Sequence, residues 1–266
     1  MTKIEYLIYQ MDVVVANPQA NREKIKQWFE TDVTNTKVDT VVLPEMWNTG
    51  YALDQLESIA DDDGSVTIPF LSDLAKKYQV NVIGGSIANR KQDGIYNTSF
   101  VFNRLGELVH QYDKIHLVPM LDEPKYLKGG CDKGELFELD GVKMGIVICY
   151  DLRFPELIRS LALQGAEVMH VVAQWPASRQ THWHYLLFAR AIENQCYMIA
   201  ANASGTCDGT DFAGESLVIS PSGEAIATGP ARTEATIRAE IMLENVRKIR
   251  NEIPVFTSRV PYLYGE

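Results

Sequence analysis

The segment Met144-Gly-Ile-Val-Ile-Cys149-Tyr-Asp-Leu-Arg-Phe-Pro-Glu156 passes from an unbroken apolar stretch into a polar, proline-bearing one. A short apolar run bounded in this way reads as a buried strand, and Pro155 suits the first turn of a helix. Cys149 therefore stands where a buried strand gives way to a helix. A thiol at such a junction can face the mouth of a cleft, and the free N–H groups of a helix start favour a thiolate and developing oxyanions. A cysteine beside Ile and Val is also commonly a structural core residue, so this segment alone leaves both roles open.

Outward from the junction the chain alternates. Residues 4–13 read as a strand, 18–29 as an amphipathic helix, 38–43 as a strand and 65–78 as a second helix. Residues 81–88, 96–103 and 108–112 follow as strands punctuated by Asp93-Gly94 and Leu105-Gly106, the pattern of a meander. Downstream, a helix from Pro155 to Leu163 is closed by Gly165, then come a strand at 168–173, a helix at 181–194 and a strand at 197–201. Residues 216–220 and 225–228 flank the turn Pro221-Ser-Gly223 as a hairpin, and a last helix spans 243–252. This mixture fits a two-layer or a four-layer α/β arrangement, and periodicity does not choose between them. No repeat or linker interrupts it, so one domain over residues 1–266 is expected.

Two further strand ends carry reactive side chains. Val41-Val-Leu-Pro-Glu45-Met-Trp47 ends in a carboxylate, and Tyr112-Asp-Lys114-Ile-His-Leu117 puts a lysine at the end of another strand. In layered α/β folds ligands bind beyond the carboxyl ends of the strands, so Glu45, Lys114 and Cys149 are candidates to converge on one pocket. Separately each has a plain reading, Glu45 as a turn cap and Lys114 as a solvated partner of Asp113.

In that order Glu45, Lys114 and Cys149 resemble the Glu-Lys-Cys triad of the nitrilase superfamily of carbon–nitrogen hydrolases. The likeness runs nearly end to end, through Leu43-Pro-Glu45-Met-Trp47, Tyr112-Asp-Lys114-Ile-His116-Leu117, Cys149-Tyr-Asp-Leu-Arg-Phe-Pro-Glu156, Trp175-Pro-Ala-Ser-Arg179, His182-Trp183 and Ala189-Arg-Ala-Ile-Glu-Asn194. The cysteine and Trp175 motifs resemble most closely the omega-amidase branch, enzymes that hydrolyse the side-chain amide of 2-oxo acids. The resemblance implies a four-layer α-β-β-α sandwich with two mixed β-sheets, and a homodimer. The tail 253–266 carries Val255, Phe256, Val260, Tyr262 and Leu263, more apolar content than a free end needs, and is expected to reach over a partner subunit. In Met120-Leu-Asp-Glu123-Pro-Lys-Tyr126, Glu123 matches the family's second glutamate beside the lysine, with Asp122 one residue away as the alternative.

Amide hydrolysis needs a strong nucleophile, a proton shuttle and an oxyanion partner. The resemblance gives these roles to Cys149, to Glu45, and to Lys114 with the backbone N–H of Tyr150. Trp47, Tyr51 and Trp175 flank the catalytic segments as candidate pocket residues. Arg153 reads either as an anchor for a substrate carboxylate or as a structural ion pair beneath the site.

The alternatives are bounded by composition. A net charge of −10 offers no footprint for nucleic acid or an anionic membrane surface. No stretch approaches the roughly 18 apolar residues of a membrane span, and four cysteines without C-x-x-C spacing fit reduced thiols, so a cytoplasmic protein is expected. His182-Trp183-His184 lacks the i, i+4 spacing of a zinc helix, and no glycine-rich nucleotide motif occurs, so neither metal nor cofactor is expected. The reading is therefore a cofactor-free amidohydrolase acting on a small-molecule amide. The same residues leave open acyl transfer to another acceptor, an amidase of another branch acting on N-carbamoyl amino acids or aliphatic amides, and a catalytically silent dimerisation module.

Overall fold

A computed structural model describes residues 2–264. Met1, Gly265 and Glu266, which belong to the expected domain and tail ranges, lie outside the described residues. The first sheet runs Ala235–Met242, Lys3–Gln10, Thr40–Val42, Asn81–Ile83, Gly94–Phe102, Ile87–Lys91, Asp61–Asp62, with Leu108–Asp113 also paired to Gly94–Phe102. The second runs Ala225–Thr228, Leu217–Ile219, Tyr197–Asn202, Val168–Ala173, Val142–Ile148, Phe137–Leu139. Each mixes parallel and antiparallel pairs.

The strand Lys3–Gln10 shows why the sheets stack. Ile4, Tyr6 and Ile8 face a core shared with Ile146, Ile148 and Val171 of the second sheet, while Leu7 and Tyr9 face the other way, onto Ile25 and Trp28 of the helix Pro18–Trp28. A strand buried on both sides lies between a sheet and a helical layer. The helix Thr67–Tyr78 joins that outer layer through Leu71, Leu74 and Ala75. On the opposite side Pro155–Leu163 and Gln180–Asn194 pack on the second sheet through Ile158, Leu161, Trp183 and Leu187. The result is the α-β-β-α sandwich. No helix of the described residues is long and apolar enough to cross a membrane.

Most elements fall where the pattern puts them, and two of the differences have a clear physical reason. Residues 81–88 form two strands, Asn81–Ile83 and Ile87–Lys91, because the backbone turns at Gly85, whose φ is +61°. A Cβ there would collide with the Pro44 carbonyl, so only glycine allows this close approach. Ala235–Met242 is a long strand that the sequence reading passed over. Its signal is a plain alternation, Ile237, Ala239 and Ile241 inward against Thr236, Arg238 and Glu240.

The sheets are also joined by a buried polar contact. The ring of His170 takes Tyr6 Oη at 3.2 Å on Nε2 and donates from Nδ1 to the Gly145 carbonyl at 3.2 Å, the pattern of a neutral imidazole. Burial lowers its pKa from 6.5 to about 4. The unfolded chain therefore takes up a proton below pH 6.5 that the native ring refuses until about pH 4. Stability is complete above pH 6.5 and should fall by on the order of 3 kcal/mol as pH approaches 4. Urea unfolding at stepped pH should show this slope, and a folded His170→Gln variant should lack it.

Candidate active site

Glu45 is brought in by a turn that leans on the break at Gly85. Leu43 N–H donates to Ile83 O at 3.0 Å, Met46 N–H to Ser86 Oγ at 3.0 Å and Trp47 N–H to Ser86 O at 3.1 Å. From the second sheet, Gln174 Nε2 grips the Glu45 carbonyl at 2.8 Å. Met46 lies in left-handed backbone, φ +46°, which turns the chain immediately after Glu45. Lys114 follows the strand Leu108–Asp113, with its N–H on Asn97 O at 2.9 Å. Cys149 follows Val142–Ile148 and also takes a left-handed φ, +46°.

Glu45, Lys114 and Glu123 are completely buried in one cluster. Lys114 Nζ donates to Glu45 Oε1 at 2.9 Å and to Glu123 Oε1 at 2.8 Å. Asn97 Nδ2 donates to Glu45 Oε1 at 2.8 Å, and the backbone N–H of Gln174 to Glu45 Oε2 at 2.7 Å. Glu123 Oε2 accepts from Val118 N–H at 2.7 Å. Asp122, the alternative one residue earlier, is turned outward and pairs with Lys125. Burial alone would discharge Lys114, but Glu45 and Glu123 more than offset it and hold its pKa above the ordinary lysine value.

The thiol differs from expectation. Cys149 opens a 3₁₀ turn, Cys149–Arg153, and is only 4% exposed. Burial first, and then the charge of Glu45, push its pKa well above the ordinary value, against the pull of Lys114. Burial and the neighbouring carboxyl charge thus favour the thiol over the thiolate in the resting site.

Asp151 ties this turn to the lysine segment. Its Oδ2 accepts from Tyr112 Oη at 2.8 Å and Ile148 N–H at 3.1 Å, and its Oδ1 from His116 N–H at 3.0 Å, with His116 Nδ1 at 2.7 Å.

Cys149 faces a void of about 20 Å³ walled by Leu121, Tyr150, Arg153, Trp175 and Arg179. A cavity of about 530 Å³ shares Met120 and Leu121 with it and is lined by Tyr51, Asp54, Tyr126, Asp208 and Phe212. Among the proposed pocket residues Trp175 is a wall of the void. Trp47 is not; its ring is buried against Phe70 and its Nε1–H bonds Gly84 O at 2.8 Å, because the turn after Glu45 sends it into the outer core. Tyr51 reaches the carboxylates, with Oη 3.0 Å from Glu45 Oε1 and 2.7 Å from Glu123 Oε1. Arg153 forms no ion pair with a carboxylate among the described residues. Its guanidinium lies 4.7 Å over Trp175 and 5.6 Å over Tyr150, and its buried Nε has no partner. Asn97, Gln174 and Asp151 escaped the sequence reading, since their roles depend on neighbours far away in the chain.

Compared with known proteins, the chain matches the carbon–nitrogen hydrolase family over residues 8–251. It belongs to that family. The chain is 49% identical to a Staphylococcus lugdunensis protein named hydrolase in agr operon, over 86% of this chain and 98% of that one. Identity is 43% to a 2-oxoglutaramate amidase of Bacillus subtilis (strain 168), over 93% and 94% of the two chains. The crystal structure of Saccharomyces cerevisiae Nit3, described as a member of branch 10 of the nitrilase superfamily, superposes with a TM-score of 0.88 at 30% identity, covering 95% of each chain. This carbon–nitrogen hydrolase is therefore an enzyme acting on amides, with its likeness in the omega-amidase branch.

Lys114 also has a structural role, as the cation between two buried carboxyl groups. Lys114→Met should leave the buried carboxyl groups of Glu45 and Glu123 without their cation and cost about 3–5 kcal/mol, read as a lowered urea midpoint. Retention of the wild-type midpoint would show that the ammonium is not what holds the carboxylates in place.

Proposed function

We propose that the enzyme hydrolyses the terminal amide of a short 2-oxo dicarboxylate, 2-oxoglutaramate or 2-oxosuccinamate, to carboxylate and ammonia through a thioester on Cys149. One observation carries the reading: the thiol, beside Glu45 and Lys114, faces a void whose lining residues include Arg153 and Arg179. Two cations at one small void, in a chain of net charge −10, suit a substrate that bears a carboxylate. The Bacillus subtilis relative's name points to the same substrate class.

Because the resting sulfur is a thiol, attack and deprotonation go together. Oε1 of Glu45 is crowded by its donors, whereas Oε2 accepts from the Gln174 N–H and has room for the thiol proton. Sulfur attacks the amide carbon as Glu45 takes that proton. Lys114 and the Tyr150 N–H stabilise the oxyanion. The carbon–nitrogen bond breaks as Glu45 returns the proton to the leaving nitrogen, releasing ammonia. Water then attacks the thioester, its proton passing through Glu45 to the departing sulfur. A void of about 20 Å³ holds about one water, so substrate enters only when the segment at Met120 and Leu121 yields and the two cavities join.

The described end of the tail leaves Tyr262, Leu263 and Tyr264 well exposed, at 77%, 68% and 57%, and a second copy of the chain would cover them. A homodimer in the cytoplasm fits these residues and the free cysteines.

Ammonia release from a panel of 2-oxo acid amides, aliphatic amides, N-carbamoyl amino acids and nitriles tests the substrate. The oxo-amides should react fastest, Cys149→Ala should be inactive, and rapid quench should show an acyl adduct on Cys149. Arg153→Met should lower kcat/KM for oxo-amides about tenfold to a hundredfold and leave neutral aliphatic amides nearly unaffected. Equal losses for both classes would remove the carboxylate role. Full activity in Cys149→Ala would end the thioester mechanism. Deleting residues from Ile253 onward should convert a dimer to a monomer in light scattering, and an intact chain that is already monomeric would defeat the dimer.

A further inference from the structure

Tyr51 Oη touches two carboxylate oxygens, Glu45 Oε1 at 3.0 Å and Glu123 Oε1 at 2.7 Å, and all three groups are buried. A phenol has one proton. Two oxygen–oxygen contacts of this length each need a hydrogen between them, so the cluster is one proton short if both carboxyls are ionised. We infer that Glu123 is a neutral carboxylic acid in the resting enzyme, donating to Tyr51, which in turn donates to Glu45.

The geometry says which carboxyl carries the proton. Glu45 Oε1 already receives the Lys114 ammonium and the Asn97 amide, and Oε2 receives the Gln174 N–H, a set that suits an anion and leaves no room for hydrogen on Oε1. Glu123 Oε1 receives only Lys114 besides its contact with Tyr51, so a hydroxyl there can both accept from nitrogen and donate to the phenol. Charge balance agrees. With Cys149 as thiol, Glu45 as anion and Lys114 as cation, a neutral Glu123 leaves the buried site without net charge, whereas an ionised one leaves it negative. Glu123 also faces the Val118 N–H on its Oε2, and burial first, with the Glu45 charge, raises its pKa against the pull of Lys114 and that N–H.

The consequence is for the oxyanion. Lys114 then neutralises one carboxylate instead of two, and more of its positive potential remains for the charge that forms on the substrate carbonyl. Tyr51 is a positioning residue: it orients the base oxygen and keeps the acid proton directed toward it.

The inference rests on Glu45 being the base, and infrared spectroscopy of the substrate-free, full-length enzyme tests it without any choice of amide. With ¹³C-labelled glutamate, the wild type at neutral pH should show an isotope-shifted carbonyl stretch of a protonated glutamic acid. Glu123→Gln, which is isosteric, should remove that band. Tyr51→Phe should keep it but move it to higher frequency, with kcat lowered about tenfold and KM little changed. Absence of the band in the wild type overturns the inference, as does its survival in Glu123→Gln or an unmoved band in Tyr51→Phe. The wild-type spectrum decides even if a variant does not fold. Full activity in Glu45→Gln would remove the base while leaving the acid band in place, so the two failures are distinct.

Discussion

The Lys114 ammonium, sealed between Glu45 and Glu123, is the constraint from which the rest of the site follows. A completely buried cation is tolerable only where carboxyl oxygens meet it at hydrogen-bond distance with at least one of them ionised, and those groups come from separate parts of the chain. Glu45 arrives from the Thr40–Val42 strand, Lys114 from the edge of the meander and Glu123 from the short helix Glu123–Tyr126 after it. Stacked sheets allow this convergence because their strand ends share one edge of the sandwich. Cys149, from the opposite sheet, enters a charge environment that was already fixed.

Alignment between the sheets is the harder task, and buried polar side chains perform it. Gln174 reaches from the second sheet to the backbone of Glu45, while Asp151 reaches from the nucleophile turn to Tyr112 and His116. Apolar packing would tolerate small slips between layers, but a hydrogen bond in a dry interior loses its worth when stretched. The thiol's raised pKa follows from the same dry, carboxylate-rich surroundings. Glu45 and Cys149 are therefore interdependent: the dry pocket that holds the Glu45 carboxyl also pushes the thiol pKa up.

What the sequence revealed and what it concealed divide along the same line. The apolar run at Val168–Ala173 and the helix beginning at Pro155 are local patterns, and they appear as the pattern predicts. That Glu45, Lys114 and Cys149 would converge was legible because each ends a strand amid a distinctive motif. Gly85 was not, since nothing in its neighbourhood announces that the Pro44 carbonyl will lie against it. Trp47 misled for a related reason: adjacency to a catalytic residue in sequence does not fix the direction of a side chain across a left-handed turn. The helix-start argument for Cys149 omitted desolvation, which only a burial measurement supplies.

Both Met46 and Cys149 occupy left-handed backbone, in which a side chain raises the local energy by about 1–2 kcal/mol. At Met46 that strain serves only to aim its neighbour, so glycine could relax it, at the expense of Met46's packing against Tyr51 and Leu53. At Cys149 no such release exists, since removing the side chain removes the sulfur. Backbone strain can thus be relieved by glycine at one turn and not at the other, so any route to heat resistance that keeps the Cys149 sulfur also keeps its turn strained.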